Sequence, residues 1–221
     1  MECGKSLNPE STQYRASLKE TSKDTSDKSG KSKVGNNAQE EYMTESDIQV
    51  INFDEFFVKD FAAETNTRQL PSCDALYVGA DGTYTLIEFK NGKIEVENNP
   101  LSTEKLGKKI QRRNKVDNAI KQQLSHSLLI LLKAFGKDID FLTRKLGFIL
   151  VYNEDKNPNI AKSVQESKSY NEISAEVGTL GNYPILPGGF GYLRNYRPFL
   201  KSVNVYTKEQ FEEKFVAGIS R

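Results

Sequence analysis

Three ionisable side chains near the middle of the chain have the types and spacing that chemistry on a phosphodiester requires: Asp74, Glu88 and Lys90. Two carboxylates held close together repel when both are ionised, so such a pair favours a bound cation or a raised pKa. A hard divalent ion such as Mg²⁺ prefers oxygen ligands, polarises a phosphodiester and activates bound water. An ammonium beside it stabilises negative charge at the reacting phosphate. These residues predict a metal-assisted phosphodiesterase site.

The spacing of the glutamate and the lysine is not informative by itself. The pattern Glu-x-Lys occurs four times, at Glu88–Lys90, Glu154–Lys156, Glu166–Lys168 and Glu212–Lys214. Only the first of these lies in an apolar, alternating segment that follows a second strand-like segment carrying an aspartate. The alternative interpretation is a cross-strand charge cluster on an exposed face of a sheet.

A predicted β-hairpin brings the three side chains together. Cys73–Gly79 and Thr83–Lys90 have strand composition, and Ala80-Asp81-Gly82 between them is a turn signal in which Gly82 takes the left-handed conformation. A three-residue loop pairs Gly79 with Thr83, which sets Asp74 opposite Glu88. Opposed residues share a face with Cβ atoms about 4.5–5.5 Å apart, and Lys90 lies on that face because side chains alternate along a strand.

Five further elements complete the predicted domain. Their bounds, from the apolar periodicity and the turn signals, are a helix over 53–62, a helix over 103–134 with room for a bend, a strand over 146–152, a strand over 203–206 and a helix over 207–216 that begins with a Thr207/Gln210 capping box. This order predicts an α/β fold in which helices flank a central mixed sheet.

Composition divides the chain into two parts. The first 47 residues contain eight serines, four threonines and no phenylalanine, whereas all twelve phenylalanines follow. So polar a segment buries too little apolar surface to offset its ordering entropy. We therefore predict a flexible N-terminal extension over residues 1–45, which is a candidate for contacts with a second copy or a partner protein, and a folded domain over 46–221.

The charge balance, the cysteine content and the apolar runs indicate the cellular compartment of the protein. The 31 basic and 30 acidic residues nearly cancel, so the net charge predicts no partner. Cys3 and Cys73 form no disulfide framework, and Met1–Lys5 does not begin a signal-peptide pattern. The longest apolar run, Leu128–Leu132, is too short to cross a membrane. We expect a cytoplasmic protein without a membrane-spanning segment.

A basic segment follows the hairpin. Seven basic residues and one acid, Asp117, lie between positions 105 and 121, and such a patch is what phosphate contacts need. The alternative interpretation is a helix face that is simply solvated. The same two interpretations, contact with the substrate or exposure to solvent, apply to Gln122 and Gln123. The predicted nucleic-acid-binding residues are Lys105, Lys108, Lys109, Arg112, Arg113, Lys115 and Gln122.

Two other features have a structural interpretation as well as a functional one. His126 is the sole histidine, with no neighbouring ligand type, and is expected to be structural or exposed, with no part in catalysis. A group of tyrosines and arginines near the C-terminus either stacks on unpaired bases or fixes the loop that contains it: Tyr183, Tyr192, Arg194, Tyr196 and Arg197.

Asp74, then Glu88-Phe89-Lys90, a basic helix and a further buried strand together resemble the PD-(D/E)xK phosphodiesterase superfamily. The layout agrees over about residues 53–215, whereas agreement in sequence is confined to the short motif. The chain departs from the motif at the position before Asp74, where Cys73 replaces proline. The resemblance implies a restriction-endonuclease-like core and a Mg²⁺-dependent nuclease, with Mn²⁺ as a substitute and DNA as the substrate.

The resemblance also implies roles for individual residues. Asp74 and Glu88 bind the metal together with the Phe89 carbonyl, and Lys90 is the catalytic lysine. Many members add a glutamate from the first helix, for which Glu55 is the candidate. Its rivals are Glu41, Glu45 and Glu64. The alternative function is a non-cleaving nucleic-acid-binding or protein-interaction module on the same fold, with phage defence as one setting.

Overall fold

The computed structural model describes residues 11–23, 41–94, 103–158, 160 and 190–219. Within these residues a single sheet contains six strands, in spatial order β1 to β6. Their bounds are Arg15–Ser17 (β1), Gln49–Asn52 (β2), Ala75–Val78 (β3), Tyr84–Lys90 (β4), Leu146–Tyr152 (β5) and Ser202–Thr207 (β6). The first four strands are antiparallel, and β4, β5 and β6 are parallel. The predicted mixed sheet is confirmed.

Helical elements connect the strands. They are α1 (Leu18–Thr21), α2 (a π-type turn Phe53–Val58 continuous with the α-helix Lys59–Glu64), α3 (Thr103–Ala134), α4 (Ile139–Lys145), a 3₁₀ segment (Gly191–Phe199) and α5 (Lys208–Phe211, a π-type turn Glu212–Val216, and Ala217–Ile219). The helix α3 is continuous over the predicted range. The short helix α4 is an addition to the elements predicted from the sequence.

Helices cover both faces of the sheet, as predicted. Leu86 and Leu150 face the layer formed by α2, α3 and the 3₁₀ segment. Ile87 and Phe89 face the opposite layer, where Phe211 of α5 packs. All seven residues of β5 are buried, because this strand has a strand on either side and helices above and below it.

The predicted N-terminal boundary needs a correction for the residues that the structure describes. Strand β1 pairs with β2 at the edge of the sheet, and Tyr14, Leu18 and Met43 are buried in the core. The composition of residues 1–45 is polar on average, but these apolar side chains are enough to attach 11–23 and 41–47 to the domain. The remainder of the predicted extension lies outside the described residues.

The start of the last helix matches its sequence signature. The Gln210 N–H donates to Thr207 Oγ1 at 3.1 Å, and the Gln210 side chain accepts from the Thr207 N–H at 3.3 Å. This capping box satisfies two backbone donors that the helix itself leaves without acceptors. It fixes α5 against the sheet face opposite α3.

Candidate functional site: a carboxylate pair beneath a helix

The hairpin has the register that the turn sequence predicts. Gly82 has φ +73°, and the Gly79 N–H donates to the Thr83 carbonyl at 2.8 Å. The ladder pairs Ala75 with Ile87, so the next position places Asp74 across from Glu88. The predicted register is confirmed.

Glu88 and Lys90 lie on the sheet face that α3 covers. Glu88 is 1% exposed, and its Oε1 forms an ion pair with the Lys90 ammonium. Lys90 keeps 23% of its side chain accessible. The lysine is therefore the member of this pair that reaches toward solvent, while the carboxylate stays in the interior.

Asp74 is tied to the backbone of β4. The Phe89 N–H donates to Asp74 Oδ2 at 2.7 Å. In this register the N–H and C=O groups of residues 87 and 89 both point toward β3. The Asp74 carboxylate therefore accepts the Phe89 N–H in place of a backbone carbonyl of that strand. The part of the Phe89 carbonyl in a ligand set stays a prediction.

Helix α3 supplies two polar contacts to this region. The Lys90 ammonium donates to Gln123 Oε1 at 3.0 Å, and the Cys73 N–H donates to Ser127 Oγ at 2.9 Å. Ser127 is fully buried. Sequence reasoning named Gln122 for the substrate and left Gln123 open, because adjacent glutamines on a helix cannot be assigned to a face without the packing.

The acid that α2 brings closest to the pair is Asp54, which differs from the predicted Glu55. Burial is the main cause of the raised pKa of both Asp74 and Glu88, and the charge of Asp54 makes a smaller contribution in the same direction. Asp54 Oδ1 accepts from Ser72 Oγ at 2.8 Å. The Glu55 side chain is exposed. The Glu55 backbone N–H donates to Asn52 Oδ1 at 3.1 Å. This cap and the π-type turn that follows it determine which acid faces the sheet.

The rival glutamates are engaged or exposed elsewhere. Glu41 pairs with Lys156 at 2.7 Å, Glu45 pairs with Lys19 at 2.7 Å, and Glu64 is exposed at the end of α2. Glu41 and Glu45 are therefore each engaged in an ion pair with a lysine outside the carboxylate pair.

Burial dominates the electrostatics of the site. It raises the pKa of Asp74 well above its usual range, with Glu88 as the second cause. Burial also raises the pKa of Glu88, against the opposing effect of Lys90. For Lys90 burial acts to lower the pKa, but the attraction of Glu88 and Asp74 outweighs it, and the net pKa is raised. Burial, followed by the charge of Glu88, raises the pKa of the Cys73 thiol well above normal.

The donor set fits an oxygen-binding cation. Both Glu88 oxygens are buried without a well-aligned hydrogen bond from a described residue, although Lys90 and Gln123 lie beside them. Among the described residues, no three His, Cys, Asp or Glu side chains are close enough to form a ligand group. A cation here would use the carboxylate pair with backbone and water oxygens, as Mg²⁺ commonly does.

The predicted nucleic-acid-binding residues fall into three groups. The structure describes the backbone but not the side chains of four of them: Lys105, Lys108, Lys109 and Arg112. Lys115 and Gln122 are exposed on α3. A phosphate contact requires an exposed side chain, and that of Arg113 is only 14% exposed. It pairs with Asp117 at 3.0 Å, and its guanidinium lies 5.0 Å from the Phe190 ring centroid.

The aromatic residues of the 3₁₀ segment fix that segment to α3. Tyr196 Oη lies 3.0 Å from Ser125 Oγ, and the Lys121 ammonium lies 4.9 Å from the Tyr192 ring centroid. Of the two interpretations, the contacts support attachment of the loop for these two tyrosines, whereas Tyr183 lies outside the described residues. His126 Nδ1 contacts the Pro71 carbonyl at 3.1 Å, which agrees with its structural assignment.

Comparison of the chain with protein-family models finds no match, and comparisons with curated proteins and with solved structures find none either. In the part of the chain that the structure describes, no helix combines the length and the apolar character needed to cross a bilayer.

Proposed function

We propose that this protein is a Mg²⁺-dependent nuclease that hydrolyses phosphodiester bonds, with DNA as its substrate. The observation that carries the proposal is the pair formed by the half-buried Asp74 and the buried Glu88, opposed across a hairpin with Lys90 alongside. Two carboxylates and one ammonium leave an excess of negative charge in a buried place. A divalent cation would offset that excess, as a proton shared by the two carboxyl groups also would.

Asp74, Glu88 and the Phe89 carbonyl are the groups that would hold Mg²⁺, with Mn²⁺ as a substitute. Bound there, the ion would polarise the phosphodiester and would make a bound water easier to deprotonate. Two observations support this ligand set: Asp74 accepts from the Phe89 N–H of β4, and Glu88 lies within β4, which has a strand on either side.

Lys90 acts as an electrostatic stabiliser in this proposal. Its raised pKa keeps the ammonium protonated at neutral pH, so it does not take the proton from the attacking water. The Gln123 carbonyl oxygen holds the ammonium at 3.0 Å, which fixes its direction. A positioned ammonium stabilises charge that develops on the phosphate oxygens.

The proposal is tested with isosteric variants. Asp74→Asn, Glu88→Gln and Lys90→Met are assayed on single-stranded DNA, duplex DNA and RNA, with Mg²⁺ and with chelator. The matched control is Lys214→Met, which alters an exposed lysine of another Glu-x-Lys triplet. We expect metal-dependent cleavage by the parent and the control, and a loss of about 100-fold or more in the three site variants. Cleavage by Glu88→Gln and Lys90→Met at the parental rate would refute the proposal.

A non-cleaving nucleic-acid-binding module is the second candidate. The observation in its favour is that the described residues contain no group of three potential ligand side chains, and that Lys90 already offsets the charge of Glu88. Such a module would bind oligonucleotides in a salt-dependent manner with chelator present. Parental binding without any cleavage in Mg²⁺ or Mn²⁺ would favour it.

A further inference from the structure

The backbone at Asp74 lies beyond the end of the sheet ladder. Strand β3 begins at Ala75, and its pairing with both β2 and β4 ends at that residue. The ladder therefore holds the chain that follows Asp74 but not the residues that precede it. The position of this half-buried carboxyl group depends on individual hydrogen bonds from the elements around it.

Two of these bonds reach Asp74 itself. The Phe53 N–H, at the start of α2, donates to the Asp74 carbonyl at 3.0 Å, and the Phe89 N–H of β4 donates to Asp74 Oδ2 at 2.7 Å. Neither bond involves α3, although α3 covers this face of the sheet and its Gln123 accepts from the Lys90 ammonium. The attachment of the aspartate segment to α3 comes from the preceding residue.

Ser127 joins that residue to α3. Its Oγ accepts from the Cys73 N–H at 2.9 Å, and both side chains are fully buried. A buried backbone N–H without an acceptor is costly, and because Cys73 precedes the ladder, the serine hydroxyl accepts in place of a strand carbonyl. His126, the neighbour of Ser127, contacts the Pro71 carbonyl at 3.1 Å. Two adjacent residues of α3 therefore hold the chain that leads into Asp74.

Ser127 and Gln123 lie on one stripe of α3, because residues four positions apart on a helix share a face. Gln123 contacts the lysine of β4, and Ser127 contacts the chain beside the aspartate. This stripe therefore contacts both sides of the candidate site. Ser125 is two positions from Ser127, which corresponds to a rotation of about 200° on an α-helix. Its Oγ lies 3.0 Å from Tyr196 Oη, on another flank of the helix.

We propose that Ser127 is a positioning residue for Asp74. By accepting the Cys73 N–H it fixes the backbone one residue before the aspartate, and it thereby holds the Asp74 carboxylate across from Glu88, where one cation would contact both. This inference rests on the proposed metal site. Without the hydroxyl, the Cys73 N–H has to turn toward another acceptor, and the aspartate moves with it. Contacts that orient metal ligands in this way contribute about 10–100-fold to metal affinity or activity.

The proposal is tested in the full chain with two serine variants of the same helix. Ser127→Ala removes the acceptor of the Cys73 N–H. The matched control, Ser125→Ala, removes a hydroxyl that contacts Tyr196 instead. Both changes delete one oxygen, so a general loss of stability affects both variants, whereas a displacement of Asp74 is expected in the first alone. Circular dichroism confirms that each variant is folded.

Two measurements report on the aspartate. Hydrogen exchange of the Phe89 amide, followed by NMR without metal, reports the bond that this amide donates to Asp74. The Leu150 amide in β5, a strand that is buried along its whole length, is the internal reference for the general stability of the sheet. The affinity for Mn²⁺ is measured from the electron paramagnetic resonance of the free ion.

We expect Ser127→Ala to raise the exchange rate of Phe89 relative to that of Leu150 by at least about tenfold, and to weaken Mn²⁺ binding by at least about tenfold. Ser125→Ala should match the parent in both measurements. A parental exchange ratio or a parental Mn²⁺ affinity in Ser127→Ala, or the same changes in Ser125→Ala, would overturn the proposal. If the parent does not bind Mn²⁺, the metal site is wrong, and the exchange ratio alone decides whether Ser127 positions Asp74.

Discussion

Removal of the Lys90 charge should destabilise the domain. Glu88 is 1% exposed and Lys90 is its ion-pair partner, so Lys90→Met leaves a carboxylate in the interior without its counter-charge. Breaking a buried pair in this way costs about 3–5 kcal/mol. Because Lys90 itself is partly exposed, we expect the lower end of that range, which for a chain of this size corresponds to a fall in Tm of about 6–12 °C.

The loss of stability in Lys90→Met should grow as the pH rises. Burial raises the pKa of Glu88, and Lys90 opposes that effect, so the pKa rises further in Lys90→Met. Below the ordinary pKa of glutamate the folded and unfolded states are both protonated, and the deficit relative to the parent is small. As the pH rises, the folded state must either hold its proton or bury a charge, and the deficit grows toward its full value.

Thermal and urea unfolding followed by circular dichroism, at about pH 4.5 and about pH 8, measure this difference. The double variant Lys90→Met/Glu88→Gln should regain most of the lost stability at the higher pH, because no buried charge remains. Lys214→Met controls for the loss of a surface lysine. A Lys90→Met protein as stable as the parent at about pH 8, or a double variant no better than the single one, would refute the reasoning.

Further changes test the metal proposal and the fold. At about pH 8, Mg²⁺ at 100 times its dissociation constant should raise Tm by the equivalent of about 2.7 kcal/mol of stability. At about pH 5.5 the rise in Tm should be smaller, because protons compete with the ion for Asp74 and Glu88. Differential scanning fluorimetry measures both shifts. Gln123→Ala should cost about 1 kcal/mol in urea unfolding, since it removes the Lys90 acceptor, whereas the exposed Gln122→Ala should cost less than about 0.5 kcal/mol. Leu18→Ala should cost about 2–5 kcal/mol, because the side chain is fully buried; no loss would contradict the packing of the N-terminal segment.

The hairpin could be predicted because its signal is local. A glycine in the left-handed region closes a three-residue loop, and alternation in the flanking strands then fixes which residues are opposed. The structure has that register, which places Asp74 across from Glu88, one position beyond the end of the ladder. Helix α3 and strand β5 were predictable for the related reason that their apolar patterns are long and regular.

The rest of the site depends on packing that no local pattern encodes. Strand β1 has three residues, and its place in the sheet comes from pairing with β2, more than 30 residues away. The choice of Asp54 over Glu55 depends on the Asn52 cap and on a π-type turn, which departs from the 3.6-residue period used to assign helix faces. Gln123 could be distinguished from Gln122 only once α3 was positioned on the sheet.

The edge position of β1 matters for handling the protein. Strand β1 hydrogen-bonds to one side of β2, whose residues Val50 and Ile51 are fully buried. A chain shortened to the domain boundary that the composition suggests would begin at residue 46 and would leave that side of β2 open. An open, apolar strand edge is a template for pairing with other molecules. The few residues of β1 therefore protect the sheet against aggregation, and a soluble shortened form has to keep them.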